Sequence, residues 1–170
     1  MCTNETHLGI WYFAYGSNLS TSQIRERLRY APESRRAILQ GYRIAFNKLG
    51  SNRSPVFANV IREEGSEVWG VIYSFRSEDW GRMDQCEGVP THYQRVKVRA
   101  LTDSGESVEA ETYVAAEAQL CPEQVPSQQY ALTILTGAEE HDLPGEWVSH
   151  LKRLMSVAGF GHGHEEPHAR

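Results

Sequence analysis

The chain's 170 residues, 40% hydrophobic and 23% charged, suit a globular domain with a core of its own and exclude a disordered or low-complexity polypeptide. Its 22 acids against 17 bases give a formal net charge of -5, the wrong sign for a nucleic-acid surface. The bases are also scattered: Arg25, Arg27, Arg29, Arg35, Arg36 and Arg43 stand among acids and apolar positions and read as solvated faces.

Ile10 to Tyr15 is aromatic and β-prone and stops at Gly16-Ser17-Asn18, which predicts a buried strand ended by a turn. Ser20 stands three residues before Gln23 in a capping-box pattern, so Thr21 to Arg29 reads as a helix closed by Ala31-Pro32. Extended segments follow at Arg36 to Lys48, Val56 to Ile61 and Glu67 to Phe75. Ser77 to Cys86 reads as a short helix with Ser77 as its N-cap. Tyr93 to Leu101 alternates Val96 and Val98 with charged neighbours, Asp103-Ser104-Gly105 turns, and Ser107 to Ala115 returns as a hairpin partner. A polar loop from Glu117 to Pro126 leads to two amphipathic helices, Ser127 to Thr136 and Gly145 to Ser156. The domain is expected over 10–157, with a short segment 1–9 before it and a flexible glycine- and histidine-rich tail over 158–170. Strands joined mostly by hairpins, with few helices between them, predict an α+β domain on an antiparallel sheet or barrel.

Two places could carry chemistry. At Tyr15-Gly16-Ser17-Asn18-Leu19 a strand runs through a glycine turn into a helix start. Backbone N–H groups converge at such a junction and can hold a carboxylate or a developing oxyanion, or the turn is an ordinary cap. Glu87 precedes Gly88 at the end of a short helix, with Asp84 three residues earlier on the same face. It could point into a cleft as a proton carrier or lie solvated at a helix end.

The remaining reactive residues offer less. Cys86 with His92 as its base would make an amidase-like pair, but a lone cysteine inside a helix is usually packing. Cys2, Cys86 and Cys121 form no CxxC, so neither a zinc site nor a disulfide framework is expected. His7, His141 and His150 read as exposed, and His162, His164 and His168 lie in the tail. No apolar run approaches the roughly 18 residues a membrane span needs. The polar stretch Met1 to Gly9 lacks a signal-peptide layout, so a cytoplasmic protein without a membrane partner is expected.

Three stretches in order, Tyr12-Phe13-Ala14-Tyr15-Gly16-Ser17-Asn18-Leu19, Glu67-Val68-Trp69-Gly70-Val71-Ile72-Tyr73 and Asp84-Gln85-Cys86-Glu87-Gly88-Val89, resemble the γ-glutamylcyclotransferase family. Tyr93, Tyr113 and Pro126-Ser127-Gln128-Gln129-Tyr130 extend the resemblance, which runs from about Tyr12 to Leu154. It implies an α+β fold, a small mixed and mostly antiparallel β-barrel with flanking helices and a pocket at one mouth. It implies Glu87 as catalytic acid/base and substrate contacts from Tyr12, Phe13, Ala14, Tyr15, Gly16, Ser17, Asn18, Leu19, Tyr93, Tyr113 and Tyr130. No metal or organic cofactor is implied, the partner is a small γ-glutamyl molecule, and a homodimer is compatible with such a fold. Cys86 and the polar tail depart from the family pattern without touching these assignments.

The reaction so implied needs no nucleophilic side chain, because the substrate's α-amine attacks its own γ-carbonyl. Ring closure gives 5-oxoproline and frees an amine or amino acid, and orientation alone can supply effective molarities of roughly 10⁵ to 10⁸ M. Two alternatives remain at this stage: a tailoring enzyme that removes a γ-glutamyl protecting group by the same chemistry, and a non-catalytic module that binds a small acid.

Overall fold

The computed structural model describes residues 10–157, so the expectations for 1–9 and 158–170, with Cys2, His7, His162, His164 and His168, lie outside the described residues. Five strands close into a barrel in the order β1-β3-β2-β4-β5. They are β1 (Ile10–Ala14), β2 (Ser34–Ser51), β3 (Ser54–Phe75), β4 (Tyr93–Thr102) and β5 (Ser107–Ala115). Among the described residues four helices accompany them, α1 (Thr21–Leu28), α2 (Ser77–Glu87), α3 (Gln128–Glu140) and α4 (Gly145–Leu154), with short 3-10 turns at Ser17–Leu19 and Glu117–Gln119. Among the described residues no helix is long and apolar enough to cross a membrane.

Local turn chemistry fixes most of the pairing. β4 and β5 form the expected hairpin around Asp103-Ser104-Gly105, from Leu101 opposite Ser107 to Tyr93 opposite Ala115, with Gly105 at φ 82°. β2 and β3 pair antiparallel from Ser51 opposite Ser54 to Ser34 opposite Tyr73. The barrel closes where β1 lies antiparallel to β3 and parallel to β5, Trp11 opposite Ala110 and Tyr12 opposite Glu111. That one parallel contact makes the barrel mixed. Phe13, Leu39, Val56, Val60, Val68 and Ile72 fill the core at 2% exposure or less, where each apolar side chain removed from water contributes about 1.5–3 kcal/mol.

Three local expectations are corrected. Val56 to Ile61 and Glu67 to Phe75 are one strand, because the polar stretch between them is an irregularity whose two flanks stay paired to β2: Arg62 lies opposite Tyr42 and Glu67 opposite Gln40, with the register shifting between them. Ser77 is the first residue of α2 and Arg76 its N-cap, since the Asp79 carboxylate accepts the Arg76 N–H at 2.8 Å. The capping box at Ser20 is half formed. Ser20 Oγ accepts the Gln23 N–H at 3.3 Å, but the Gln23 side chain turns away to Ser17 and Asn18.

Two glycines set where the site forms. At Gly137 of α3 a Cβ would lie 2.3 Å from the Leu19 carbonyl carbon, so only glycine lets this helix rest on the 3-10 turn. At Gly88 the chain enters the left-handed region, φ 65°, and ends α2 directly after Glu87.

Candidate active site

Glu87 is the last residue of α2, and the helix end leans its carboxylate towards the 3-10 turn after β1. Asn18 Nδ2 donates to Glu87 Oε1 at 2.9 Å and to the Tyr12 hydroxyl at 2.8 Å. Arg27 Nη1, from α1, donates to the same Oε1 at 2.7 Å. Asn18 Oδ1 in turn accepts from Arg27 at 3.0 Å and Gln23 at 2.9 Å, and the Asn18 carbonyl accepts the Tyr73 hydroxyl at 2.8 Å. Asn18 is 4% exposed, so the network has a buried centre, while Gln23, Arg27 and Glu87 around it are half-buried. Among the described residues no donor reaches Glu87 Oε2. One edge of the carboxylate is pinned and the other is open.

Glu87 also lines a narrow slot, together with Gly16, Ser17, Asn18, Ala58 and five tyrosines: Tyr12, Tyr15, Tyr93, Tyr113 and Tyr130. Each ring is strapped. Tyr15 donates to the Tyr113 carbonyl at 2.5 Å, and Tyr113 donates to Asp84 Oδ1 at 2.7 Å. Tyr93 donates to the Ala58 carbonyl at 2.9 Å, while the Tyr130 oxygen accepts the Ala58 N–H at 3.1 Å. Burial first, and the charge of Glu87 in addition, push all five phenols above their ordinary value. They are therefore neutral hydroxyls at any working pH. Burial alone would lower the Arg27 guanidinium, but Glu87, Tyr12 and Cys86 outweigh it and hold it above its usual value.

The turn supplies donors as well. The Leu19 and Ser20 N–H groups bond back to the Gly16 and Ser17 carbonyls, both at 3.0 Å. Among the described residues none of the turn and loop bonds is donated by the Gly16, Ser17 or Asn18 N–H. Leu19 therefore drops out of the expected main-chain cradle, and the preceding three remain.

Of the twelve residues expected at the site, nine line this slot. Phe13, Ala14 and Leu19 do not: each is 0% exposed and serves the core, Phe13 against Gly70 and Leu19 under α3. Arg27 corrects the opposite way. It reads as a solvated base in the sequence and is Glu87's counter-charge in the structure. Gln23 and Arg27 are four apart on one face of α1, which is the signal that could have joined them to Asn18. Asp84 shares the helix but turns to Tyr113 and, at 3.8 Å, to Arg95. His141 and His150 are half-buried, and His141 Nε2 lies 3.2 Å from the Tyr73 hydroxyl. Cys86 is exposed and His92 Nδ1 faces Lys48, so the cysteine–histidine pair is not assembled.

The arrangement suits proton transfer at one carboxylate oxygen beside the main-chain N–H groups of the glycine turn and neutral hydroxyls, with no activated nucleophile among the slot's lining residues. Comparison with known proteins places the fold in a family. The family described as gamma-glutamyl cyclotransferase, AIG2-like, matches residues 12–132. The gamma-glutamylcyclotransferase of Homo sapiens is 32% identical over 148 residues, covering 84% of this chain and 77% of that protein. The gamma-glutamyl cyclotransferase aclK of Aspergillus oryzae is 25% identical over 169 residues, covering 84% of this chain and 60% of that one. A solved gamma-glutamyl cyclotransferase structure superposes with a TM-score of 0.78 at 32% identity, covering 85% of this chain and 86% of the other.

Proposed function

The chain belongs to the gamma-glutamyl cyclotransferase, AIG2-like family and is an enzyme of that type, and from this premise we propose that Glu87 Oε2 carries the protons of the reaction. The substrate's γ-glutamyl half folds into the tyrosine-lined slot. Its α-ammonium gives a proton to Oε2, and the freed amine attacks the γ-carbonyl carbon. A C–N bond forms within the ring, the tetrahedral oxyanion collapses, and the original amide C–N bond breaks. Oε2 returns its proton to the departing nitrogen, then takes the second proton from the ring nitrogen and passes it to the released amine, leaving 5-oxoproline and an ammonium product.

The N–H groups of Gly16, Ser17 and Asn18 hold the α-carboxylate or the oxyanion, and the Tyr12 and Tyr130 hydroxyls, which accept from Asn18 and Ala58, keep their own protons to complete the cradle as neutral donors. Asn18 and Arg27 position the carboxylate by occupying Oε1. The observation that carries this reading is the asymmetry of Glu87, a residue that lines the slot: both of its donors among the described residues reach one oxygen and leave the other unbonded.

Glu87→Gln keeps the shape and an Oε1 acceptor but cannot shuttle a proton. Its 5-oxoproline release from γ-glutamyl dipeptides and glutathione should fall by roughly 10² to 10⁴ in kcat. Release at a near wild-type rate would remove Glu87 from the chemistry.

A further inference from the structure

The slot opens into a larger outer cavity of about 980 Å³, and Ser17, Glu87, Tyr93 and Tyr130 line both. With the ring-forming half in the slot, the departing half of the substrate occupies this outer chamber. Glu87 is the one acid among the lining residues, against Arg27, Lys48 and Arg53, although the chain as a whole is at -5. Arg27 is committed to Glu87. Arg53 is exposed on the short turn between β2 and β3.

Lys48 differs from both. It is 3% exposed, and its ammonium lies 5.7 Å from the Phe57 ring centre and 5.5 Å from that of Tyr93. Nζ donates to the Leu49 carbonyl at 2.8 Å and to His92 Nδ1 at 3.0 Å. An ammonium has three N–H donors, so one is left for the chamber. Among the described residues no carboxylate pairs with it. Burial lowers Lys48 below the ordinary lysine value, while the charge of Glu87 pulls the other way. A buried charge without a counter-ion is costly, and an anion arriving in the chamber relieves that cost.

The site is also built by the helix end that delivers Glu87. A Cβ on Gly88 would lie 2.6 Å from the His92 ring, so the glycine that ends α2 makes room for the imidazole that meets Lys48.

We propose that Lys48 determines specificity: its remaining N–H takes a carboxylate carried by the departing amine, so that γ-glutamyl conjugates of amino acids or peptides are preferred to those of neutral amines. The proposal rests on the cyclotransferase reading above.

The test compares 5-oxoproline release from γ-glutamyl-alanine and γ-glutamyl-alaninamide, which differ only in that carboxylate. The wild-type enzyme should favour the acid by roughly 10- to 100-fold in kcat/KM, mostly through KM. Lys48→Met should bring the ratio near one, and Lys48→Arg should restore most of it. A wild-type ratio near one overturns the proposal without any variant being made. So does a Lys48→Met enzyme that loses both activities equally and keeps the ratio. Release from neither substrate would overturn the cyclotransferase reading itself, an outcome distinct from equal release.

Discussion

Arg27 Nη1 stands 2.7 Å from Glu87 Oε1, bringing from a different helix the one charge that pairs with that carboxylate among the described residues. The pair is partly shielded, with side chains 25% and 15% exposed, and it shares its oxygen with the Asn18 amide. A carboxylate held by two donors on one oxygen presents the other at a fixed angle, so Arg27 acts through Glu87. Arg27→Gln should therefore reduce kcat by roughly 10-fold or more with a smaller change in KM, the scale of one hydrogen bond to a charged group. Steady-state kinetics decide it. A rise in KM with kcat intact would place Arg27 on the substrate instead.

Asn18 joins more of the site than any other residue. Its amide nitrogen serves Glu87 and Tyr12, and its oxygen receives Gln23 and Arg27. Asn18→Asp keeps the size and the acceptor, but it sets an oxygen where a nitrogen now donates to Glu87 at 2.9 Å. Two carboxylates at that separation repel, and the pinned edge is released. The expected result is a loss of at least about 100-fold in kcat, larger than that of Asn18→Ala, which only deletes the bonds. An aspartate variant better than the alanine one would mean that the amide does not orient Glu87.

Gly137 has no chemical group to offer, yet the glycine turn depends on it. An added Cβ would stand 2.3 Å from the Leu19 carbonyl carbon and 2.4 Å from the Ser20 nitrogen, both backbone atoms that cannot rotate aside. Gly137→Ala gains helix propensity but overpacks this contact, so a net loss of about 1–3 kcal/mol is expected. For a chain of this size that is a fall of roughly 3–10 °C in Tm, read by calorimetry. The same displacement moves Gly16 to Asn18, so activity should fall even where the variant is folded. An unchanged Tm would show that α3 shifts without cost.

Where the signal was local, the sequence carried it. The β4–β5 hairpin follows from alternation and Asp103-Ser104-Gly105, and α2 ends at Gly88 because the left-handed residue there is a glycine. The closure of β1 on β5 has no local signal, since a parallel contact between Trp11 and Ala110 depends on the whole barrel. The motif resemblance implies a mixed barrel without saying which strands close it. β3 reads as two segments in the sequence because the stretch from Arg62 to Glu67 is polar and mostly exposed, and strand alternation vanishes where the pairing with β2 shifts register. At the site, Glu87 and the glycine turn were legible as motifs. Arg27 was not, because a charged residue on a short helix looks solvated until its partner, 60 residues away, is in place.

His141 links stability to pH. Burial, its largest influence, lowers the imidazole below its ordinary 6.5, with the Leu19 carbonyl and nearby acids acting the other way. Between the lowered value and 6.5 the unfolded chain binds a proton that the folded chain does not. Stability therefore rises with pH across that window, is full above 6.5 and is lost as pH falls towards the folded value. His150 is lowered by burial and by Arg153, so it adds a slope of the same sign. His141→Gln keeps a polar group for the Tyr73 hydroxyl and removes one titration. The slope of Tm against pH below 6.5 should become shallower while the His150 part remains. An identical slope in the variant would mean that His141 takes up its proton in the folded protein as readily as in the unfolded one.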